Sequence, residues 1–316
     1  MEEFRGLVVK STGSWYDLEK ENGERLNARL KGKFRLKGLK STNPVAVGDW
    51  VKFHMERDEG VIHTIEDRKN YIIRRSINLS KQIQIIAANI DQLFLVITID
   101  SPPTTLGFID RFLAGAEAYR IPTVLVYNKI DLYETEEQKA ELRKWQSIYK
   151  LAGYDQIELS AEQKIGIDTL KDLMKDKTSI FSGHSGVGKS TLVNSLDKNF
   201  QLRVNEISDY HKTGKHTTTF AELFKLSFGG RIIDTPGIKG FGTVELENEV
   251  LSHYFPEMRS KMGGCKFNNC VHINEPKCAV KEALERGEIA LERYDNYLSM
   301  YYDDEKEHHR AKGVRG

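Results

Sequence analysis

The run Gly183-His184-Ser185-Gly186-Val187-Gly188-Lys189-Ser190 has the residue types and spacing to wrap a chain of phosphates. Glycines let successive backbone N–H groups turn toward one anion, Lys189 can reach the β- and γ-phosphates, and the Ser190 hydroxyl can serve Mg²⁺. The chain enters as an apolar strand at Ile180 and leaves through Thr191 as a helix start, the setting such a loop needs. A plain glycine turn ahead of a helix is the competing reading.

A phosphate loop does not choose a base. Asn128-Lys129-Ile130-Asp131 follows the apolar run 123–127 directly, where an open α/β sheet presents its ligand-facing loops. A carboxylate at Asp131 can accept from both the N1 and N2 donors of guanine, which adenine lacks. Asn128 can support the ring edge, and the stem of Lys129 can cover the base. Ser160-Ala161, after the strand-like 156–159, matches a dipeptide whose backbone completes guanine recognition. The tetrad read alone also fits a solvated turn, and the dipeptide alone is too short to carry meaning.

Two further pieces address the γ-phosphate. Asp234-Thr235-Pro236-Gly237 follows the strand-like 231–233; its carboxylate would hold Mg²⁺ through water, and the Gly237 N–H would sense the γ-phosphate. Gly214-Lys215-His216-Thr217-Thr218-Thr219 lies in a polar loop, where Thr219, or failing it Thr218, is expected on Mg²⁺, while Thr217 reads as connection. Ile238 follows Gly237 where Ras-like enzymes carry the glutamine that orients water. Isoleucine cannot do that, so turnover should be slow and dependent on a partner. His216 is the candidate to accept the water proton, and a structural loop histidine is the alternative. Potassium assistance is the weaker idea, because Gly186 stands where cation-using relatives carry asparagine.

The order of these pieces is unusual. The base-reading tetrad at 128–131 precedes the phosphate loop at 183–190, the reverse of an ordinary GTPase. The segment that answers the γ-phosphate therefore leads straight into the C-terminal region.

Cys265, Cys270, His272 and Cys278 give the spacing C-x4-C-x-H-x5-C. Three thiolates and an imidazole suit tetrahedral zinc, and four protein ligands leave no open catalytic position. All three cysteines of the chain fall in this cluster, an odd count that argues against a disulfide framework. The region's Gly263, Gly264, Asn268, Asn269 and Pro276 favour metal over the alternative of buried reduced thiols.

The elements that must position these groups fall into three regions. Residues 1–74 read as short strands around Gly and Asn turns, such as Asn22-Gly23, and fit a small β-barrel of the oligonucleotide-binding type. Arg29, Lys31, Lys33, Arg35 and Lys37 alternate with Leu30, Gly32, Phe34 and Leu36, so a strand would line one face with cations. Such a face suits phosphate contact; a charged edge that resists aggregation is the alternative. Residues 75–245 alternate apolar strand runs (92–97, 123–127) with helices (108–119, 136–151), which implies a parallel sheet covered on both faces. Residues 246–316 are helical at 282–287 and 290–307 and interrupted by the cysteine cluster.

The 316 residues carry a net charge of +1, with 39% hydrophobic and 29% charged residues, so the whole chain is no polycation and has ample material for cores. No run approaches the roughly 18 apolar residues of a membrane helix. The start, Met1-Glu2-Glu3-Phe4, shows no secretory pattern, and cytoplasmic residence is expected.

Taken together, the permuted order, the phosphate loop, Lys215-His216-Thr217-Thr218-Thr219, Asp234-Thr235-Pro236-Gly237-Ile238, Ile109-Asp110-Arg111-Phe112-Leu113 and the cysteine–histidine spacing resemble the bacterial small-ribosomal-subunit-dependent GTPase A family. The resemblance covers nearly the whole chain. It implies an α/β fold: a circularly permuted phosphate-loop GTPase domain with an N-terminal oligonucleotide-binding barrel and a C-terminal helical zinc domain. It further implies GTP and GDP with Mg²⁺ as ligands, one structural zinc, binding to ribosomal RNA, and GTP hydrolysis stimulated by the small ribosomal subunit late in its assembly. A monomer with no membrane partner is expected. Rival readings are a GTPase of tRNA modification or metal insertion, and an RNA-binding scaffold with a slow nucleotide clamp.

Overall fold

A computed structural model describes residues 2–31, 44–75, 83–197, 221–234 and 246–313. Its strands are β1 (Phe4–Ser11), β2 (Tyr16–Lys20), β3 (Arg25–Leu30), β4 (Trp50–Glu56), β5 (Glu59–Ile65), β6 (Tyr71–Arg75), β7 (Ile83–Ala88), β8 (Gln92–Ile97), β9 (Thr123–Tyr127), β10 (Asp155–Glu158), β11 (Thr178–Ser182), β12 (Glu222–Lys225) and β13 (Arg231–Asp234). Its helices are α1 (Leu106–Ala118), α2 (Glu136–Leu151), α3 (Ile167–Met174), α4 (Lys189–Leu196), α5 (Pro256–Arg259), α6 (Ala279–Glu285) and α7 (Leu291–Gly313). The chain divides into two compact units. The first comprises Met1–Phe94, Gly166–Ser182 and Lys189–Ile238, and the second Leu95–Ile165, Gly183–Gly188 and Lys239–Gly316.

In the first unit β1 to β5 close a barrel in the order β1-β2-β3-β5-β4, with β4 pairing back onto β1. Only β3–β5 is parallel. Closure follows from the alternation of the strands: Val8, Leu18, Ala28, Val51, Phe53 and Ile62 all point inward and are fully buried. The Asn22-Gly23 hairpin forms as its residue types require, with Gly23 at φ +84° and the Glu24 N–H donated to Asn22 Oδ1 at 3.0 Å.

The same unit carries β11, β13 and β12 as successive neighbours, the last meeting β1 at Lys10 and Glu222, which form an ion pair of 3.0 Å. β11 and β13 are parallel, as the sequence implies, but β12 and β13 are antiparallel. The reason is the short connection through Gly229 and Gly230, where the Leu226 N–H is donated to Gly230 O at 2.8 Å: a tight turn makes a hairpin, whereas a parallel pair needs a long crossover.

The second unit holds the end of β8, then β9 and β10, with β9 and β10 parallel and every residue of β9 buried. α2 opens with a capping box between Thr135 and Gln138, and its Leu142, Trp145, Ile148 and Tyr149 recur at helical spacing to form the buried face. Among the described residues no helix is long and apolar enough to cross a membrane.

One polar cluster in this unit lies in an otherwise apolar setting. Arg293 of α7 is fully buried and donates to Asp110 Oδ1 of α1 at 2.7 Å and to both oxygens of Glu257 of α5 at 2.7 and 3.1 Å. Asp110 also accepts from Tyr149 at 2.8 Å and from Asn296 at 2.6 Å, while the guanidinium lies 4.5 Å from the Phe255 ring centre. Burial raises the Asp110 carboxyl against the opposing pull of Arg293. One arginine thus joins three helices that are far apart in sequence.

Candidate functional site

β9 delivers Asn128 into the middle of three loops of the second unit. Asn128 is 1% exposed. Its Nδ2 donates to Val187 O at 2.7 Å, and its Oδ1 accepts the Ala161 N–H at 3.1 Å. The side chain therefore ties the phosphate loop to the Ser160-Ala161 loop, a use that local sequence could not reveal. Lys129 sits in the left-handed region at φ 64° and donates its Nζ to Ser101 O at 2.6 Å. Ile130–Leu132 is a 3₁₀ turn fastened by Tyr133, whose hydroxyl donates to Asn128 O at 3.0 Å and accepts the Ile99 N–H at 2.9 Å.

Asp131 Oδ1 is buried and has no hydrogen-bond partner. An unpaired buried acceptor is costly, by about 1–3 kcal/mol and more for a charged group. A ligand donor such as guanine N1–H would relieve that cost, so the residue fits the base-reading role. Ser160 is fully buried and its Oγ accepts the Gln163 N–H at 3.0 Å.

Gly183–Gly188 lies in the same unit and has the backbone a phosphate loop needs. A Cβ at Gly183 would fall on the Val96 carbonyl oxygen, and one at Gly188 on Asn128 Nδ2; their φ values are +141° and +94°. Both positions accept only glycine. Val187 is fully buried, whereas His184, Ser185 and Gly186 are exposed. Lys189 and Ser190 open α4, with Thr191 behind them, and Ser190 and Thr191 are exposed. Asp234 is the last residue of β13 and is half-buried. His216, Thr217, Thr218, Thr219, Gly237 and Ile238 lie outside the described residues.

In the second unit the four predicted metal ligands come together. Ligand atoms of Cys265, Cys270, His272 and Cys278 all lie within 4.8 Å of one another. Cys265 Sγ is 3.7 Å from His272 Nδ1 and 4.0 Å from Cys278 Sγ, and Nδ1 is 3.3 Å from Cys278 Sγ. Zn–S bonds of about 2.3 Å and Zn–N bonds of about 2.0 Å set tetrahedral edges of roughly 3.5–3.8 Å. The donor set and its spacing therefore fit zinc. Burial pushes the Cys270 thiol up to about 12, so a cation is needed to favour its thiolate.

The shell around the cluster was not legible as such. Glu275 accepts the Val271 and Ile273 N–H groups at 2.7 and 2.9 Å; burial works to raise its carboxyl, but these backbone donors prevail and lower it. Tyr294 and Tyr297 donate to the carbonyls of His272 and Val271 at 2.7 and 2.5 Å, fixing His272 at φ 64°. A carboxylate three residues after the histidine, and tyrosines at i and i+3 on α7, were the available signals.

The basic row begins differently from its appearance in sequence. β3 ends at Leu30, and Arg29 donates to Glu56 at 2.8 Å with Glu59 at 3.5 Å. The neutralising acids come from the β4–β5 hairpin, outside the window 25–40 that holds seven basic residues and no acid. Lys31 is exposed, and Lys33, Arg35 and Lys37 lie outside the described residues.

A guanine-tetrad loop ahead of a glycine-rich phosphate loop, behind a closed five-stranded barrel and before a Cys₃His cluster, defines a circularly permuted GTPase. Residues 65–244 match the model of the RsgA GTPase family, and 5–62 match the RsgA N-terminal domain. The chain belongs to the RsgA GTPase family. It is 54% identical to the small ribosomal subunit biogenesis GTPase RsgA of Flavobacterium johnsoniae over 97% of this chain and 95% of that one. It is 50% identical to the protein of that name from Bacteroides fragilis, over 97% and 99%. Among solved structures it resembles YjeQ from Thermotoga maritima (TM-score 0.77, 38% identity, 96% and 98% covered) and YloQ, a circularly permuted GTPase (TM-score 0.77, 28% identity, 97% and 96% covered).

Proposed function

We propose that this chain hydrolyses GTP to GDP and phosphate as a late assembly factor of the small ribosomal subunit, working as a monomer in the cytoplasm. The observation that carries the nucleotide assignment is the buried, unpartnered carboxylate oxygen of Asp131 in the 3₁₀ turn that follows β9, near an Asn128 hydrogen-bonded to the phosphate loop. In this reading Asp131 accepts from guanine N1 and N2, and Lys129 covers the base. The N–H groups of 183–188 and the Lys189 ammonium hold the phosphates, and the Gly237 N–H meets the γ-phosphate. Ser190, Thr219 and Asp234 would hold Mg²⁺, which would supply positive charge to neutralise the phosphates. His216 takes the proton of the attacking water, since Ile238 cannot orient it. Replacing Asp131 by Ala removes charge-assisted bonds worth about 1.5–3 kcal/mol each. Guanine nucleotide affinity, measured by fluorescent GDP titration, is expected to fall on the order of 10²-fold.

Three functional segments accompany this reading: a barrel over 1–74, the GTPase over 75–245 and a zinc-bound knob over 246–316. Barrel cations from Lys31 onward would meet ribosomal RNA phosphates, with Arg29 held back by Glu56 and Glu59. The deciding experiment measures GTP hydrolysis by the chain alone, with small subunits and with large subunits. Strong acceleration by small subunits only is expected. No acceleration, or equal acceleration by large subunits, would overturn the ribosomal assignment and favour tRNA modification, metal delivery or a slow RNA-bound clamp.

A further inference from the structure

We infer that the Tyr133 hydroxyl is a positioning group for guanine recognition, holding the turn that presents Asp131; this rests on the nucleotide-binding reading above. The base-reading motif ends at Asp131, and Tyr133 lies outside it. Tyr133 is 6% exposed, and its hydroxyl makes two bonds: it donates to Asn128 O at 3.0 Å and accepts the Ile99 N–H at 2.9 Å. Asn128 directly follows β9, and Ile99 lies two residues past the end of β8, the neighbouring strand. The tyrosine thus reaches back along the chain and pins the start of the tetrad to the end of the next strand.

The tetrad has other anchors, and they act at other points. The Asn128 N–H is donated to Ile97 O at 2.9 Å, its side chain joins Val187 and Ala161, and the Ile130 N–H meets Leu159 O at 3.4 Å. Those bonds fix where Asn128 leaves the sheet and where Ile130 rests. The turn between them is the costly part. Lys129 has φ 64° and ψ 34°, a left-handed conformation that a residue other than glycine keeps only when its surroundings over-determine it. Asn128 O belongs to the peptide that enters this conformation, so a bond to it opposes rotation of the turn. Burial raises the Tyr133 phenol above its ordinary value, so at neutral pH it keeps the proton that Asn128 O accepts.

Asp131 comes two residues after Lys129, and its unpartnered Oδ1 can pair with a base only while the turn holds. Guanine offers that carboxylate two donors, N1–H and the exocyclic amine, whereas hypoxanthine offers N1–H alone. A turn that wanders is competent for only part of the time, and apparent affinity falls accordingly. The base that pairs twice loses more by this than the base that pairs once. Tyr133 therefore sets base discrimination as well as affinity.

Displacement of fluorescent GDP by unlabelled GDP and by inosine diphosphate is measured on the full chain and on Tyr133→Phe, which removes one oxygen and keeps the ring. The wild-type chain is expected to prefer GDP by at least about tenfold, the worth of one charge-assisted bond. In Tyr133→Phe, GDP affinity should fall about three- to tenfold and the preference should narrow by about threefold or more. The preference is a ratio taken on one preparation, so it does not depend on the fraction of the variant that is folded. Tyr149→Phe is the control: it deletes a buried hydroxyl bond of 2.8 Å in the same unit, made to Asp110 rather than to the tetrad. It should leave the preference at its wild-type value even where it lowers the thermal midpoint. In an Asp131→Ala background, Tyr133→Phe should weaken GDP no further, because it acts through Asp131. An unchanged preference in Tyr133→Phe, an equal narrowing in Tyr149→Phe, or effects that multiply in the double variant would overturn the role of the hydroxyl. Failure of the wild-type chain to bind guanine nucleotide would overturn the underlying reading instead.

Discussion

Replacing Arg293 by Ala is expected to lower the unfolding free energy by about 3–5 kcal/mol, the range for removing one partner of a buried ion pair. The guanidinium is 1% exposed and its two carboxylate partners 1% and 3%. None of the three has water to fall back on. Alanine leaves Asp110 and Glu257 buried without their cation, and the lost area above Phe255 adds a cavity. Equilibrium urea denaturation of the two chains side by side measures the difference. A loss below about 1 kcal/mol would mean the carboxylates find other donors. The deficit should also depend on pH. Burial already raises the folded Asp110 carboxyl above its ordinary value of about 4, and the variant loses the arginine that opposed this rise. A group that binds its proton more tightly when folded favours folding below its unfolded pKa and loses that contribution as pH rises through the folded one. The variant should therefore come closest to wild type in mild acid and fall further behind toward pH 8.

Stripping the metal is expected to have the larger effect. Structural zinc in small domains contributes apparent free energies of about 10–16 kcal/mol at neutral pH, far more than a core of this size can replace. The core beneath the cluster includes Cys270 and Cys278 themselves, packed with Val280, Ala283, Tyr297 and Met258. Without a cation, three thiols and an imidazole share a space that suits neither apolar packing nor hydration. A strong chelator should release one zinc per chain into a chromophoric indicator, and new protease cleavage should appear within 246–290. Release should become easier as pH falls, because protons compete for the thiolates. A chain with no bound zinc and an unchanged protease pattern would exclude a structural metal.

Much of this molecule is legible in short stretches of sequence, for a physical reason. A phosphate loop, a base-reading tetrad and a set of metal ligands are local arrangements whose residue types are fixed by the ligand. The helices at 136–151 and the closed barrel follow likewise from periodicity and turn residues. What was not legible is every partnership that spans the chain. Asp110 and Arg293 are 183 residues apart, and nothing near either one announces the other. The only signal is a carboxylate on the apolar face of α1, beside Ile109 and Phe112, which calls for a buried cation somewhere. Arg29 teaches the converse. Its window lacks acids, yet the fold supplies Glu56 and Glu59 from another hairpin. The pair is exposed on both sides and contributes little to stability, but it removes one cation from the row. The role of Asn128 as a tie between loops emerges only in the folded chain, because the motif fixes its identity without naming its partners.

That tie also carries a schedule. Asn128 and Val187 are 59 residues apart, so at about 5–20 residues per second the phosphate loop leaves the ribosome roughly 3–12 s after the guanine-reading strand. In an unpermuted GTPase the phosphate loop is synthesised first and waits for the base tetrad. Here β9 and its tetrad are finished first. The nascent protein can acquire nucleotide only once translation has passed α4, with the metal knob still to be made.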